Sequence, residues 1–179
     1  MTGQTRAQIL EDELLIVRHS GEIPEIALNA TIYYLQEDPE GPGLTLTDLE
    51  LRSLQDAALK RCREIVLRDL DPENRDLPLY RGIRRTIYNW HRMQAFLGRI
   101  GRRQNDFRAI VRRDLVAFLS REAADVATGR RSSCINCSAG ELAGFARELG
   151  CDPGDFPPGW QQLCPAGEMR EENPLQGDR

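Results

Sequence analysis

Residues 79–100, LYRGIRRTIYNWHRMQAFLGRI, decide the fold. At 100° per residue, Leu79, Ile83, Ile87, Trp90, Gln94 and Leu97 fall within one narrow sector of a helix. Arg81, Arg85, Tyr88, Arg92 and Arg99 fall on the opposite side. The spacing therefore predicts a long amphipathic helix with its tryptophan side inward and its guanidinium side outward. Gly101 is a natural stop. Only a few residues, around RRQN, precede the next periodic stretch, so the two helices are expected to be antiparallel neighbours.

That next stretch, about 105–127, carries Phe107, Ile110, Val111, Leu115, Phe118, Leu119 and Val126 as its apolar stripe, and Asn105 suits its N-cap. Asp114 lies on the stripe between Ile110 and Phe118. A carboxylate there needs a partner or water. An arginine of the 79–100 helix would serve, and so would solvation at the stripe's margin.

Upstream, a helix is predicted over about 48–70. Thr47 and Glu50 fit a capping box, in which hydroxyl and carboxylate each satisfy an orphan backbone donor. Leu51, Leu54, Ala58, Cys62, Ile65 and Leu70 recur at helical spacing. Cys62, inside that stripe, reads as a small buried hydrophobe. Before it, residues 24–36 open on Pro24, which suits a first helical position. Ile26, Ala27, Ala30, Ile32, Tyr33, Tyr34 and Leu35 leave this helix almost no polar face, so it is expected to be central. EDPEGPG (37–43) and DPENRDLP (71–78) break the chain. Residues 7–18 fit a short helix and an edge strand equally well.

Downstream, 127–136 reads as a loop. Ser138 and Glu141 form another capping-box pattern, ahead of a short helix bearing Leu142, Phe145 and Leu149 and ending at Gly150. CDPGDFPPGW (151–160) is irregular, with Phe156 and Trp160 as anchors. From Pro165 onward no apolar face remains, and disorder is expected. The fold class is therefore all-α: a bundle of about four to five helices with an irregular, cysteine-containing C-terminal segment. The expected organisation is a bundle at 1–129, a cysteine segment at 130–164 and a tail at 165–179.

Of the 179 residues, 40% are hydrophobic and 29% charged, an ordinary globular mix. No run approaches the roughly 18 apolar residues of a spanning helix. The start, MTGQTRAQILEDELLIV, places acids where a signal peptide carries its apolar run, and a cytoplasmic location is expected. No membrane partner is indicated.

The net charge of −4 hides an asymmetry. Residues 1–74 hold 7 basic and 15 acidic side chains, residues 75–113 hold 11 Arg and 2 Asp, and residues 114–179 hold 6 basic and 11 acidic ones. An arginine-rich block of balance +9 lies between two acidic ones. The stripe of Arg81, Arg85, Tyr88, Arg92 and Arg99, continued by Arg102 and Arg103, suits bidentate contacts to an acidic protein partner. It also suits phosphates, with the tyrosine stacking on a base. A solvated or internally paired face is the plain alternative. The acidic pI of about 5.3 argues against nucleic acid as the main ligand.

Cys62, Cys134, Cys137, Cys151 and Cys164 are an odd set, and without an export signal free thiols or a metal site are favoured over disulfides. Cys134-Ile-Asn-Cys137 invites a zinc reading. A helix over 138–149 would hold Cys137 and Cys151 roughly 18 Å apart, too far for one zinc ion. Cys134, Cys137 and Cys164 survive as a three-cysteine zinc set. A redox role for the C-x-x-C at a helix N-terminus is a second option. In the third, Cys137 and Cys151 are small apolar staples at the two ends of that helix.

His19 and His91 read as surface or packing histidines. No Gly-rich phosphate loop, G-x-S-x-G or H-E-x-x-H occurs. The function read from the sequence is a non-enzymatic helical adaptor or regulatory protein that binds an acidic partner through an arginine-rich hairpin. The alternatives are a nucleic-acid-binding regulator and a small zinc or thiol-redox module.

Overall fold

A computed structural model of the protein describes residues 4–21, 23–78, 80–100 and 105–165. Among them the chain is all-α, with six α-helices and no strand. The helices are α1 (Arg6–Arg18), α2 (Pro24–Gln36), α3 (Asp48–Arg68), α4 (Gly82–Arg99), α5 (Asn105–Ala127) and α6 (Ala139–Glu148). Single 3-10 turns occupy Pro72–Asn74, Pro153–Asp155 and Trp160–Leu163. Residues 101–104, Leu79, the tail from residue 166 and the side chains of Asn105 and Asp106 lie outside what the structure describes.

The chain divides into two compact units. One comprises 1–68 and 86–104, the other 69–85 and 105–179. In this division α5 and the cysteine segment share a unit. The reason is the buried side of α5, which packs on the Trp160–Leu163 turn.

In the first unit α1, α2 and α3 pack mutually. The ambiguous N-terminal stretch is a helix. Its start is fixed by Thr5, whose hydroxyl accepts the Gln8 N–H while the Gln8 side chain accepts the Thr5 N–H. This capping box satisfies two donors that a strand would leave to a neighbour. The Thr47–Glu50 box at α3 forms as expected, with the Thr47 N–H donating to Glu50 Oε2 at 2.7 Å. Glu50 also accepts Nη2 of Arg6 at 2.7 Å, tying α1 to the start of α3. Arg6, joined by these hydrogen bonds, holds the Glu50 carboxyl down at about 2.

Helix α2 departs from expectation. Pro24, Leu28, Thr31 and Leu35 form one buried stripe, while Ile26, Tyr33 and Tyr34 are exposed. The helix is apolar on both sides but covered on one, so it is not central.

In α4 the buried residues are Ile83, Thr86, Asn89, Trp90, Met93, Phe96 and Leu97. Ile87 and Gln94, assigned to the inward sector, are half-buried. The inward face is rotated by roughly 60° from the sequence reading. The cause is Thr86 and Asn89, polar residues that the fold buries with the apolar ones. The rotation carries Arg85 and Arg92 to the edge of the buried sector, and both are half-buried.

The second unit is built on α5, where Phe107, Val111, Leu115, Phe118, Leu119 and Glu122 face inward. Ile110 lies outside that stripe and is exposed, and Val126, in phase with the stripe but at the last turn of the helix, is exposed as well. Asp114 pairs with its neighbour Arg113 at 2.9 Å, not with an arginine of α4. Helix α6 starts on the predicted Ser138–Glu141 box. It ends with the Gly150 N–H on Arg147 and the Cys151 N–H on Ala146, both at 2.9 Å, with Gly150 at φ +71°. Those crossed bonds are a Schellman motif.

Two predictions follow from these helix starts. Gly82 has φ +72°, and a Cβ there would stand 2.7 Å from Asn136 Oδ1. Gly98 has nothing within 4 Å of its Cβ position. Chemical denaturation should show Gly82→Ala destabilising by about 1–3 kcal/mol and Gly98→Ala stabilising by up to about 1 kcal/mol. Glu50, with its folded-state value depressed from 4.5 to about 2, contributes stability above pH 4.5 that is lost as pH falls toward 2. The protection factors of the α1 amides, taken relative to intrinsic exchange at each pH, should therefore fall over that window. In Arg6→Gln the midpoint should move upward.

Candidate functional site

The arginine stripe is drawn from both units: Arg81 and Arg85 belong to one, Tyr88, Arg92 and Arg99 to the other. Arg102 and Arg103 lie outside the described residues. Arg99 makes a bidentate pair with Glu25 at 2.8 and 2.6 Å. The Arg92 guanidinium sits 5.7 Å from the Tyr88 ring centroid, and Tyr88 is exposed. Arg81 is exposed, and its backbone N–H donates to the buried Asp69 at 3.1 Å. Elsewhere in the basic block, Arg84 pairs with Glu141 at 3.4 Å and Arg113 with Asp114. Much of the block's charge is thus matched within the fold.

A small cavity of about 20 Å³ lies in the first unit among Pro24, Glu25, Cys62, Asn89, Arg92 and Phe96. That volume suits a single water molecule. Burial, then the nearby Glu25, pushes the Cys62 thiol up to about 11, so it stays protonated at neutral pH, as a packing residue would.

The cysteine segment is organised by Glu122, which the sequence reading did not single out. Its carboxylate is buried and pairs with Arg75 at 2.5 Å. It also accepts the Cys134 N–H at 3.0 Å. Arg75 reaches on to the Ser132 carbonyl at 3.1 Å. The Tyr80 hydroxyl lies 3.3 Å from the Cys134 sulfur, and burial raises both groups above their ordinary values. Asn136, between the two cysteines, holds the start of α4: its amide donates to the Arg81 carbonyl at 2.8 Å and its Oδ1 accepts the Arg84 N–H at 3.1 Å.

Among the described residues, no group of three or more His, Cys, Asp or Glu side chains is arranged to hold a metal ion. The set Cys134, Cys137 and Cys164 is not such a group. All five cysteines are free thiols, and burial raises each of them, Cys137 to about 12. A low-value thiolate at the start of α6, which the redox option requires, is opposed by that burial. Cys137 and Leu142 are fully buried, and Cys151 nearly so, which fits the staple positions.

The first unit leaves a contiguous row of apolar residues uncovered on α2. Ile26, Ala30 and Tyr33 repeat at i, i+4 and i+7, directly opposite the buried Leu28–Leu35 stripe. Ile26 is 60% and Tyr33 51% exposed, and Ile23 and Tyr34 flank them. In α1, Leu15 and Ile16 are exposed as well.

Residues 5–151, most of the chain and the whole of α1 to α6, match the family described as a repeat of unknown function (DUF7826). The chain belongs to that family. No curated protein and no solved structure matches it. In this DUF7826 repeat the matched segment ends at Cys151, so Cys164 and the Trp160–Leu163 turn lie beyond it.

Two features of the DUF7826 chain escaped the sequence reading. Glu122 stands at i+4 from Phe118 and i+3 from Leu119, in phase with the apolar stripe, and that phase was its one signal. The bare side of α2 was visible as excess apolarity, which burial alone was taken to explain. Removing half of the buried pair should be costly. Glu122→Ala should destabilise the protein by about 3 kcal/mol in urea unfolding, because the half-buried Arg75 keeps only the more distant Asp125 carboxylate and the Ser132 carbonyl, and the Cys134 N–H loses its acceptor. A double change to Glu122→Leu with Arg75→Met should recover much of that loss.

Proposed function

We propose that this DUF7826 repeat is a protein-interaction module whose contact surface is the outer side of α2. The observation that carries the reading is the Ile26–Ala30–Tyr33 stripe. Exposed apolar residues scattered singly are normal, but a contiguous set on one helix side is the mark of an interaction site. Tyrosine is also a residue enriched where partners dock, because its ring supplies area and its hydroxyl tolerates water.

The arginine stripe takes a secondary place in this reading. Arg99 already has Glu25, and Arg92 lies against Tyr88. The exposed Arg81, Arg108 and Arg113 support a role for basic side chains toward an acidic protein surface. Such contacts steer association and select partners more than they add affinity.

The test places a photo-reactive amino acid at Tyr33 of the full chain, with the same probe at Gln36 as a control on another side of α2. The expected result is a discrete protein adduct from Tyr33 alone, lost when Ile26→Asp is added. A nucleic-acid adduct, or labelling that Ile26→Asp leaves unchanged, contradicts the reading.

A further inference from the structure

We propose that the occupant of the α2 stripe is another copy of this same domain, docking head to tail through the outer side of its α5. The inference rests on the reading of α2 as a contact surface and names the partner.

Three observations converge. First, the family is described as a repeat. Units that recur leave apolar surface which the neighbouring unit covers. Here the stripe from Ile23 to Tyr33 runs for roughly 15 Å along the helix, long enough to seat a partner helix.

Second, the charges favour unlike surfaces meeting. Residues 4–40 hold 8 acidic and 2 basic side chains, and Glu11, Asp12, Glu37 and Glu40 are exposed. Two such surfaces facing one another would repel. Helix α5 has the opposite character among its described side chains. Arg113 is exposed on the outer side of that helix and Arg121 at its flank, with Arg108 and Arg112 exposed on another side, while Glu122 is buried and Asp114 and Asp125 are half-buried.

Third, the outer side of α5 has a shape suited to tyrosine rings. Arg113, Ala117, Ser120 and Ala124 repeat at i, i+4, i+7 and i+11, and all are exposed. Ile110 adds an exposed apolar side chain to that side. Small residues let a second helix approach closely, and Arg113 can lie over an aromatic ring or reach an acid. Because the two contacting surfaces differ, the contact is heterologous and leaves each copy with one unused surface.

The experiment is sedimentation velocity on the 179-residue chain, from low to several hundred micromolar. Self-association rising with concentration is expected. Ile26→Asp should weaken it roughly tenfold or more, and so should Arg113→Glu combined with Ala117→Glu. All three positions are exposed, and circular dichroism checks that the variants keep their helix content. The decisive step is mixing. The first variant retains an intact α5 side and the second an intact α2 side, so a mixture should form a one-to-one complex although neither variant associates alone. Association that the α5 changes leave intact, or a mixture that stays monomeric, overturns the head-to-tail arrangement. A wild-type chain that stays monomeric throughout overturns the proposal. If the Tyr33 probe then still captures a different protein, the interaction reading survives while this inference falls. If the probe captures nothing, both fall.

Discussion

The Glu122 carboxylate is the constraint on which the second unit depends. It lies on the inward side of α5, where a charge without partners would cost several kcal/mol. The fold meets that cost by bringing two distant segments to it. Arg75 arrives from the connection after α3, the Cys134 N–H from the cysteine loop, and Arg75 carries the link on to the Ser132 carbonyl. A loop of this kind has little apolar area with which to fix itself. Polar groups that must find partners supply the specificity instead.

From that loop the effect passes to α4. Once Cys134 is held, Asn136 stands where its amide can satisfy both a carbonyl and an N–H at the start of the helix. Gly82, at positive φ, lets the chain turn into α4 directly against that amide. The C-x-x-C segment thus does its work mainly through the residue between the cysteines and the backbone beside them. Cys137 is buried and Cys134 half-buried against the Tyr80 hydroxyl, and burial raises both thiols, so they stay protonated at neutral pH.

The first unit follows a different economy. Its helices α1 and α3 begin on reciprocal side-chain caps, and Arg6 links them through Glu50. Packing takes one side of α2 and leaves the other, equally apolar, uncovered. A helix that buries half of an all-round apolar surface is incomplete as an isolated element. That incompleteness, joined to a family description as a repeat, is what motivates the proposed contact surface.

Local signals in the sequence determined the helices. Pro24, the Thr47–Glu50 and Ser138–Glu141 boxes and Gly150 mark ends that the fold reproduces, because caps act within four residues and need nothing from the rest of the chain. The stripes of α3 and α5 were legible for the same reason. Tertiary structure alone decided which side of α2 is covered and where the inward face of α4 falls. It buried Thr86 and Asn89, turned α4 by a fraction of a turn, and drew Arg85 and Arg92 to the edge of its inward face. It matched Arg99 with a glutamate 74 residues away and Arg75 with one 47 residues away. Burial and ion pairing depend on what long-range packing brings alongside, and periodicity within one helix carries no record of that neighbour.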